Sequence, residues 1–289
     1  MKRIAYRIVN VFVESERATF GGNPLAVIED ATGLDDATMQ SIAAQFNLSE
    51  TTFIFPQAGA APRVRIFTPR YELPFAGHPT VGTSFVLASM HEELQATAIN
   101  ALTLSLNVGP IDVSLENGAW TFTANTHQSR AIDAPIAALA EAVGLQEADF
   151  LGDARFVSTG TEQLVIPVAN VDALARAKPN PELLQAHFKN DAGRYMAYLV
   201  ARVAPDRFQV RFFFPTASGM SEDPGTGSAC SNLGGYLLDA GQATPQRFIV
   251  TQGEFVQRLN VLQLTLTNER QIRVGGRVLE IGRGNLNLL

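Results

Sequence analysis

The sequence predicts an α+β fold built as two similar domains. Three observations predict it. Short runs of alternating apolar and polar residues recur along the chain, as half-buried strands require. One prominent helix occupies the same place in each half. A short pattern also occurs twice: Arg65-Ile-Phe-Thr-Pro69 followed by Gly77-His-Pro-Thr-Val-Gly-Thr83, and Arg211-Phe-Phe-Phe-Pro215 followed by Glu222-Asp-Pro-Gly-Thr-Gly-Ser228. His78 and Asp223 stand at equivalent points of the two copies, 145 positions apart in a chain of 289. Duplicated units carrying different titratable groups suggest one site served by both halves. Strands and helices do not alternate as a doubly wound parallel sheet demands.

The elements follow in order. Ile4, Tyr6 and Ile8 alternate with polar or small residues, and Gly21-Gly22-Asn23-Pro24 turns the chain into a strand over 25–28. Asp35 caps a helix whose apolar positions are Met39, Ile42, Ala43 and Phe46. Strands are expected over 52–55 and 63–67, then a helix over 79–90 with Pro at its first turn. Strict alternation over 102–106 and 111–115 precedes Asn117-Gly118, a strong hairpin signal, and then Trp120 and Phe122. In the second half a helix over 135–143 closes at Gly144, with strands over 156–158 and 164–168 and short helices near Val171 and Pro181. Strands over 195–201 and 208–214 lead into the second copy of the pattern. A helix over 224–239 ends before Gly241, and 261–267 with 271–274 forms a hairpin. Composition does not shift at the domain junction, which falls near 118–130. The first lobe spans 1–118, with a C-terminal segment of about 279–289 returning to it, and the second spans 119–278.

A 46% hydrophobic, 17% charged composition supplies enough apolar material for sizeable cores. The net charge of −6 argues against nucleic-acid binding, which needs a basic stripe. No apolar run approaches the roughly 20 residues that span a bilayer. The N-terminal apolar stretch is broken by Asn10, Glu14 and Glu16, unlike a signal peptide. A cytoplasmic protein without a membrane partner is expected. The single cysteine, Cys230, rules out an internal disulfide and a thiolate zinc cluster. His91, His127 and His187 fit no metal-ligand spacing, and no G-x-G-x-x-G follows a strand.

Asp223-Pro224 and His78-Pro79 each combine a capping position with Pro at the first helical residue. Taken alone, Asp223 is an N-cap; His78 is harder to explain so, because His is not a preferred cap. Gly77, Gly82, Gly225 and Gly227 let backbone approach a ligand closely. Helix N-termini attract carboxylate or phosphate, so two of them facing one another form an anion cradle with His on one wall and Asp on the other. Glu50, in Asn47-Leu-Ser-Glu-Thr-Thr-Phe53, is on these grounds an exposed loop glutamate. Cys230 and Trp120 are packed residues.

Assembled, these segments resemble the PhzF-type phenazine-biosynthesis family of isomerases, which has the two-lobed diaminopimelate epimerase-like fold. The likeness runs through Phe20-Gly-Gly-Asn-Pro-Leu-Ala-Val27, the Glu50 segment, Leu73-Pro-Phe-Ala-Gly-His-Pro79, Ser158-Thr-Gly160, Glu222-Asp-Pro-Gly-Thr-Gly-Ser-Ala229, Gln252-Gly253 and Val274-Gly-Gly276. It implies that each lobe is a curved mixed sheet wrapped around its long helix, with pseudo-twofold duplication, and that the active site lies in the cleft between lobes. It implies a homodimer with no cofactor and no metal. Glu50 becomes the general acid/base, its pKa raised by burial, with His78 and Asp223 flanking the substrate. Thr226, Ser228 and the backbone of Gly77 and Gly227 hold a substrate carboxylate. One departure stands out: the family continues from Gln-Gly to Gly-Arg-Pro, whereas here the run is Gln252-Gly-Glu-Phe-Val-Gln-Arg258-Leu259.

The expected function is therefore cofactor-independent movement of a proton between carbons of a small unsaturated or aromatic carboxylic acid. Two alternatives remain at this point. An amino-acid racemase or epimerase on the same fold needs a second cysteine. A small-acid or protein-binding module has no need of Glu50, His78 and Asp223 together.

Overall fold

The computed structural model describes residues 2–216 and 219–288, and the chain divides into two compact units. One comprises Met1–Thr123 with Gly275–Leu289; the other is Ala124–Val274. The junction follows Thr123, inside the stretch near 118–130, and the chain returns to the first unit at Gly275 rather than near 279.

The first unit opens with β1 (Lys2–Val13), β2 (Asn23–Ile28), α1 (Asp36–Phe46), β3 (Glu50–Phe55), β4 (Arg63–Phe67) and β5 (Glu72–Leu73). Then come α2 (Gly77–Gln95), β6 (Ala101–Leu106), β7 (Gly109–Glu116) and β8 (Ala119–Thr123). Asp35 caps α1 as its sequence demands, accepting from the Thr38 N–H at 2.8 Å. Asn117 and Gly118 turn β7 into β8 with φ of 51° and 76°, the left-handed pair such a hairpin needs.

The second unit holds β9 (Gln128–Ala131), α3 (Ile136–Val143), β10 (Arg155–Ser158), β11 (Glu162–Val168), α4 (Val171–Arg176) and α5 (Pro181–His187). It continues with β12 (Ala197–Ala204), β13 (Arg207–Thr216), β14 (Gly219–Asp223), α6 (Gly227–Asp239), β15 (Gln246–Gln252) and β16 (Asn260–Leu266). The last strand, β17 (Ile272–Leu288), starts here and runs on into the first unit.

In the first unit the pairings close on themselves. β1 pairs antiparallel with β2, β2 parallel with β3, β3 antiparallel with β4, and β4 parallel with β6. β6, β7 and β8 follow antiparallel, β8 pairs with β17, and β17 pairs with β1 from Lys2↔Leu288 onward. The ring surrounds α2, which packs on β1, β2, β3, β6 and β8. Outside it, α1 covers a core of Ile4, Ile28, Met39, Ile42, Phe53 and Phe67.

The second unit runs through the same order of pairings. β10 pairs antiparallel with β11, β11 parallel with β12, β12 antiparallel with β13, β13 parallel with β15, and β15 antiparallel with β16. Its long helix, α6, packs on β9, β10, β11 and β16. Leu164, Ile166 and Val168 of β11 point the other way, into a core shared with Leu139, Leu174 and Leu184 of the three short helices.

The repeated R-x-F motif has the same structural use in both units. Arg65 grips Glu72 of β5 at 2.7 and 2.5 Å and lies over the Phe67 ring at 5.1 Å. Arg211 grips Glu222 of β14 at 3.0 and 2.7 Å and lies over Phe213 at 4.6 Å. Each arginine ties the short strand before a long helix to the sheet, combining a charge-assisted bond with cation–π stacking. Among the described residues no helix is long and apolar enough to cross a membrane.

Candidate active site

The helix starts differ from the capping expected. α2 begins at Gly77 with Ala76 at its N-cap, so His78 is the second helical residue rather than a cap. Asp223 is the last residue of β14, and α6 begins only at Gly227 after Thr226. Gly225 stands where Thr80 stands in the first copy, and glycine is a poor residue with which to propagate a helical turn. The segment between is fixed by other means. Thr226 Oγ1 donates to Asp223 Oδ2 in a short bond. Buried Gln252 donates to the Asp223 carbonyl at 2.8 Å and to Thr226 Oγ1 at 2.9 Å, while its own oxygen accepts from the Thr226 N–H at 3.2 Å. Because Gln252 supplies a donor to the Thr226 hydroxyl, that hydroxyl directs its hydrogen at Asp223. A Cβ on Gly225 would lie 2.2 Å from Asn260 Oδ1, so only glycine fits this close approach.

His78 is placed by strand and helix periodicity together. Leu25 of β2 lies against Gly82 of α2, where a Cβ would come within 2.6 Å of it. Two residues back along the strand is Asn23, and four back along the helix is His78; rises of about 3.3 Å and 1.5 Å per residue make these steps nearly equal. Asn23 Nδ2 accordingly lies 3.4 Å from His78 Nδ1. On β3, Thr52 bonds Thr83 of α2 at 2.8 Å, so the face carrying Glu50 is the one turned to α2. Glu50 Oε2 lies 3.3 Å from His78 Nε2, with side-chain exposures of 16% and 6%. Glu50 is thus the first residue of a strand and largely enclosed, not an exposed loop residue. Asn47, left-handed at φ 51°, ends α1 and turns the chain towards it, and Ser49 Oγ donates to Asn23 Oδ1 at 3.3 Å.

Burial pushes the His78 imidazole down to about 3, outweighing an opposing hydrogen bond to the Pro24 backbone. His78 is therefore neutral at physiological pH. In the second unit, Ser228 Oγ, in the first turn of α6, accepts from Gln163 Nε2 at 3.1 Å. Cys230 is wholly buried, and burial pushes its thiol up; Trp120 is a core residue. His127 pairs with Asp239 at 2.9 Å, away from these groups on α6's last residue. Among the described residues no cluster of His, Cys, Asp or Glu is arranged to hold a metal.

The seven residues singled out from the sequence thus fall into two groups. Glu50, Gly77 and His78 come together in the first unit; Asp223, Thr226, Gly227 and Ser228 come together in the second. Asn23 and Gln252 were visible as motif letters but had no assigned part. Gln163 carried one signal, its place between Leu164 and the polar Glu162 on the face of β11 opposite the core. In the divergent run after Gly253, Glu254–Val256 forms one short helical turn and burial lowers the pKa of the Arg258 guanidinium.

The profile of the PhzC-PhzF family, described as phenazine biosynthesis-like protein, matches residues 9–282. The chain is 40% identical over 285 residues to an uncharacterized isomerase of Pasteurella multocida, covering 98% of this chain and 93% of that one. It is 30% identical over 298 residues to the trans-2,3-dihydro-3-hydroxyanthranilate isomerase of Pseudomonas fluorescens, covering 98% and 99%. Among solved structures, a PhzF-family phenazine biosynthesis protein of Bacillus anthracis superposes over all of both chains with a TM-score of 0.84 at 24% identity.

Proposed function

The chain belongs to the PhzC-PhzF family of phenazine biosynthesis-like proteins, and on that premise we propose that it is a cofactor-independent isomerase of a small unsaturated or aromatic carboxylic acid. The observation that carries this is a carboxylate, Glu50, set 3.3 Å from an imidazole that burial keeps neutral. The names of the relatives at 40% and 30% identity support the reaction class.

Glu50 removes a proton from a carbon next to a double bond. The electron pair left behind forms a new double bond as the old one shifts; the carboxyl proton of Glu50 exchanges with solvent, and Glu50 then delivers a proton to the far carbon. One C–H bond breaks, one forms, and no oxidant or reductant is needed. Neutral His78, with its Nε2 3.3 Å from Glu50 Oε2, does not fix Glu50 permanently as a carboxylate, as an imidazolium would. In the second unit Ser228 and the Gly227 N–H are set to hold a substrate carboxylate, and Thr226, its hydroxyl and N–H both engaged, orients Asp223; in the first unit the Gly77 N–H is the corresponding donor. Helix-terminus dipoles stabilise the negative charge that develops there. A two-cysteine racemase needs a thiol on each face of its substrate; this chain has one cysteine, and it is buried. The homodimer implied by the family resemblance is part of the same proposal and is checked by light scattering.

The test is incubation with trans-2,3-dihydro-3-hydroxyanthranilate and a panel of unsaturated acids in heavy water, followed by proton NMR. A shifted double bond with deuterium at the newly protonated carbon is expected for at least one acid. Binding of these acids without exchange or isomerisation in any of them overturns the proposal in favour of a binding protein.

A further inference from the structure

The Ser158-Thr-Gly160 segment has no part in the chemistry so far, yet it anchors a chain of hydrogen bonds that ends at Ser228. Asn232, wholly buried on α6, accepts at Oδ1 from the Thr159 N–H at 2.8 Å and from Thr159 Oγ1 at 2.9 Å. Its Nδ2 donates to the Thr161 carbonyl at 2.9 Å and to Gln163 Oε1 at 2.8 Å. Gln163, 3% exposed, then has only its Nε2 to offer Ser228, which accepts at 3.1 Å.

Each link fixes the polarity of the next. A backbone N–H can only donate and a backbone carbonyl can only accept, so Thr159 and Thr161 leave Asn232 one orientation. Asn232 presents a hydrogen to Gln163, so Gln163 must turn its oxygen inward and its NH2 outward. Ser228 Oγ is thereby an acceptor on its inner side, and its hydroxyl hydrogen is directed away from Gln163. A side-chain amide is otherwise free to flip; here the backbone removes the choice.

We infer that Gln163 and Asn232 are positioning residues that set Ser228 as a hydrogen-bond donor, so that the start of α6 selects a carboxylate over the corresponding neutral amide. This rests on the carboxylate-binding role proposed for Ser228. A carboxylate accepts from the hydroxyl with either oxygen, whereas an amide can do so only with its carbonyl and presents two hydrogens to a hydroxyl with at most one lone pair left by Gln163. A role confined to holding α6 against β11 changes stability without changing that preference.

The test compares benzoate with benzamide, two probes of nearly equal shape, by calorimetric titration of the full chain at pH 9. The parent chain is expected to favour benzoate at least tenfold, and Ser228→Ala to weaken benzoate by a similar factor. Gln163→Glu introduces an ionised group that can only accept, which turns the Ser228 hydrogen inward; the benzoate-to-benzamide ratio should fall at least tenfold. Gln163→Met, uncharged and of similar size, should lower the ratio by at least threefold and guards against misfolding of the charged variant. If Ser228→Ala weakens benzoate but both Gln163 variants keep the parental ratio, the inference fails while the carboxylate site stands. If the parent does not bind benzoate, or Ser228→Ala has no effect, the carboxylate role of Ser228 fails and takes the inference with it.

Discussion

His78 Nε2 lies 3.3 Å from Glu50 Oε2, and the imidazole is buried deeply enough to stay neutral. Strand alternation on β3 and the turn spacing of α2 bring the two together across 28 residues of sequence, with Asn23 on the other side of the ring.

This burial makes stability depend on pH in one direction. An unfolded imidazole takes up its proton near pH 6.5, the folded one only near 3, so between these values the unfolded state binds more protons. Stability contributed by neutral His78 is complete above about pH 6.5 and is lost progressively towards pH 3, by at most about 1.4 kcal/mol per pH unit. Urea denaturation from pH 7 to pH 4 should show a shallower loss in His78→Gln than in the parent. Identical slopes would contradict the neutral assignment.

Arg7 should behave as the central charge of the first unit. It is almost wholly buried on β1 and bonds Glu29 at 2.7 Å, Glu93 of α2 at 2.9 Å and Glu280 of β17 at 3.1 Å. Arg7→Met takes the partner from Glu29, while Arg283 still bonds Glu93 and Glu280, and should cost about 1–3 kcal/mol, the range for leaving a polar group unsatisfied. Chemical denaturation measures it, and added salt should restore little of the loss.

Gly22 sets the backbone turn that leads into Asn23. Its φ is +74°, and a Cβ would fall 2.6 Å from the Val11 carbonyl oxygen. Gly22→Ala should destabilise by about 1–3 kcal/mol through backbone strain and that clash. Proton NMR of the His78 ring should also shift, because Asn23 is displaced with the turn.

Gln252 should control the start of α6. Gln252→Met removes its bonds to the Asp223 carbonyl, Thr226 Oγ1 and the Thr226 N–H. A loss of about 1–3 kcal/mol is expected from the polar groups left unsatisfied. Hydrogen exchange at the amides of residues 226–228 should quicken while that of α2 is unchanged.

The parts legible in the sequence were those decided locally. The Asp35 cap, the Asn117-Gly118 turn, the Gly144 stop and the strand Arg63–Phe67 all stand where residue chemistry places them, because a side chain or a φ value within a few residues fixes each. The start of α6 was not legible, since Asp223-Pro224 looks like a cap until Gly225 and the distant Gln252 and Asn260 are brought against it. Nor was the strand character of β17 beyond Val274, where Arg, Gly and Asn residues of little strand propensity are held by pairing with β1 at the far end of the chain. Glu50 came to notice only through family resemblance; its link to His78 depends on the pairing of β2 with β3 and the approach of α2, which no local pattern encodes.

The central claim is that Glu50 carries the proton. Its most direct measurement is deuterium exchange at carbon, followed by NMR in heavy water, in the parent chain and in Glu50→Gln with an acid that both are shown to bind. The account predicts that exchange falls by at least a thousandfold in Glu50→Gln while affinity for the acid stays within a few-fold. Exchange at the parental rate in that variant would contradict it.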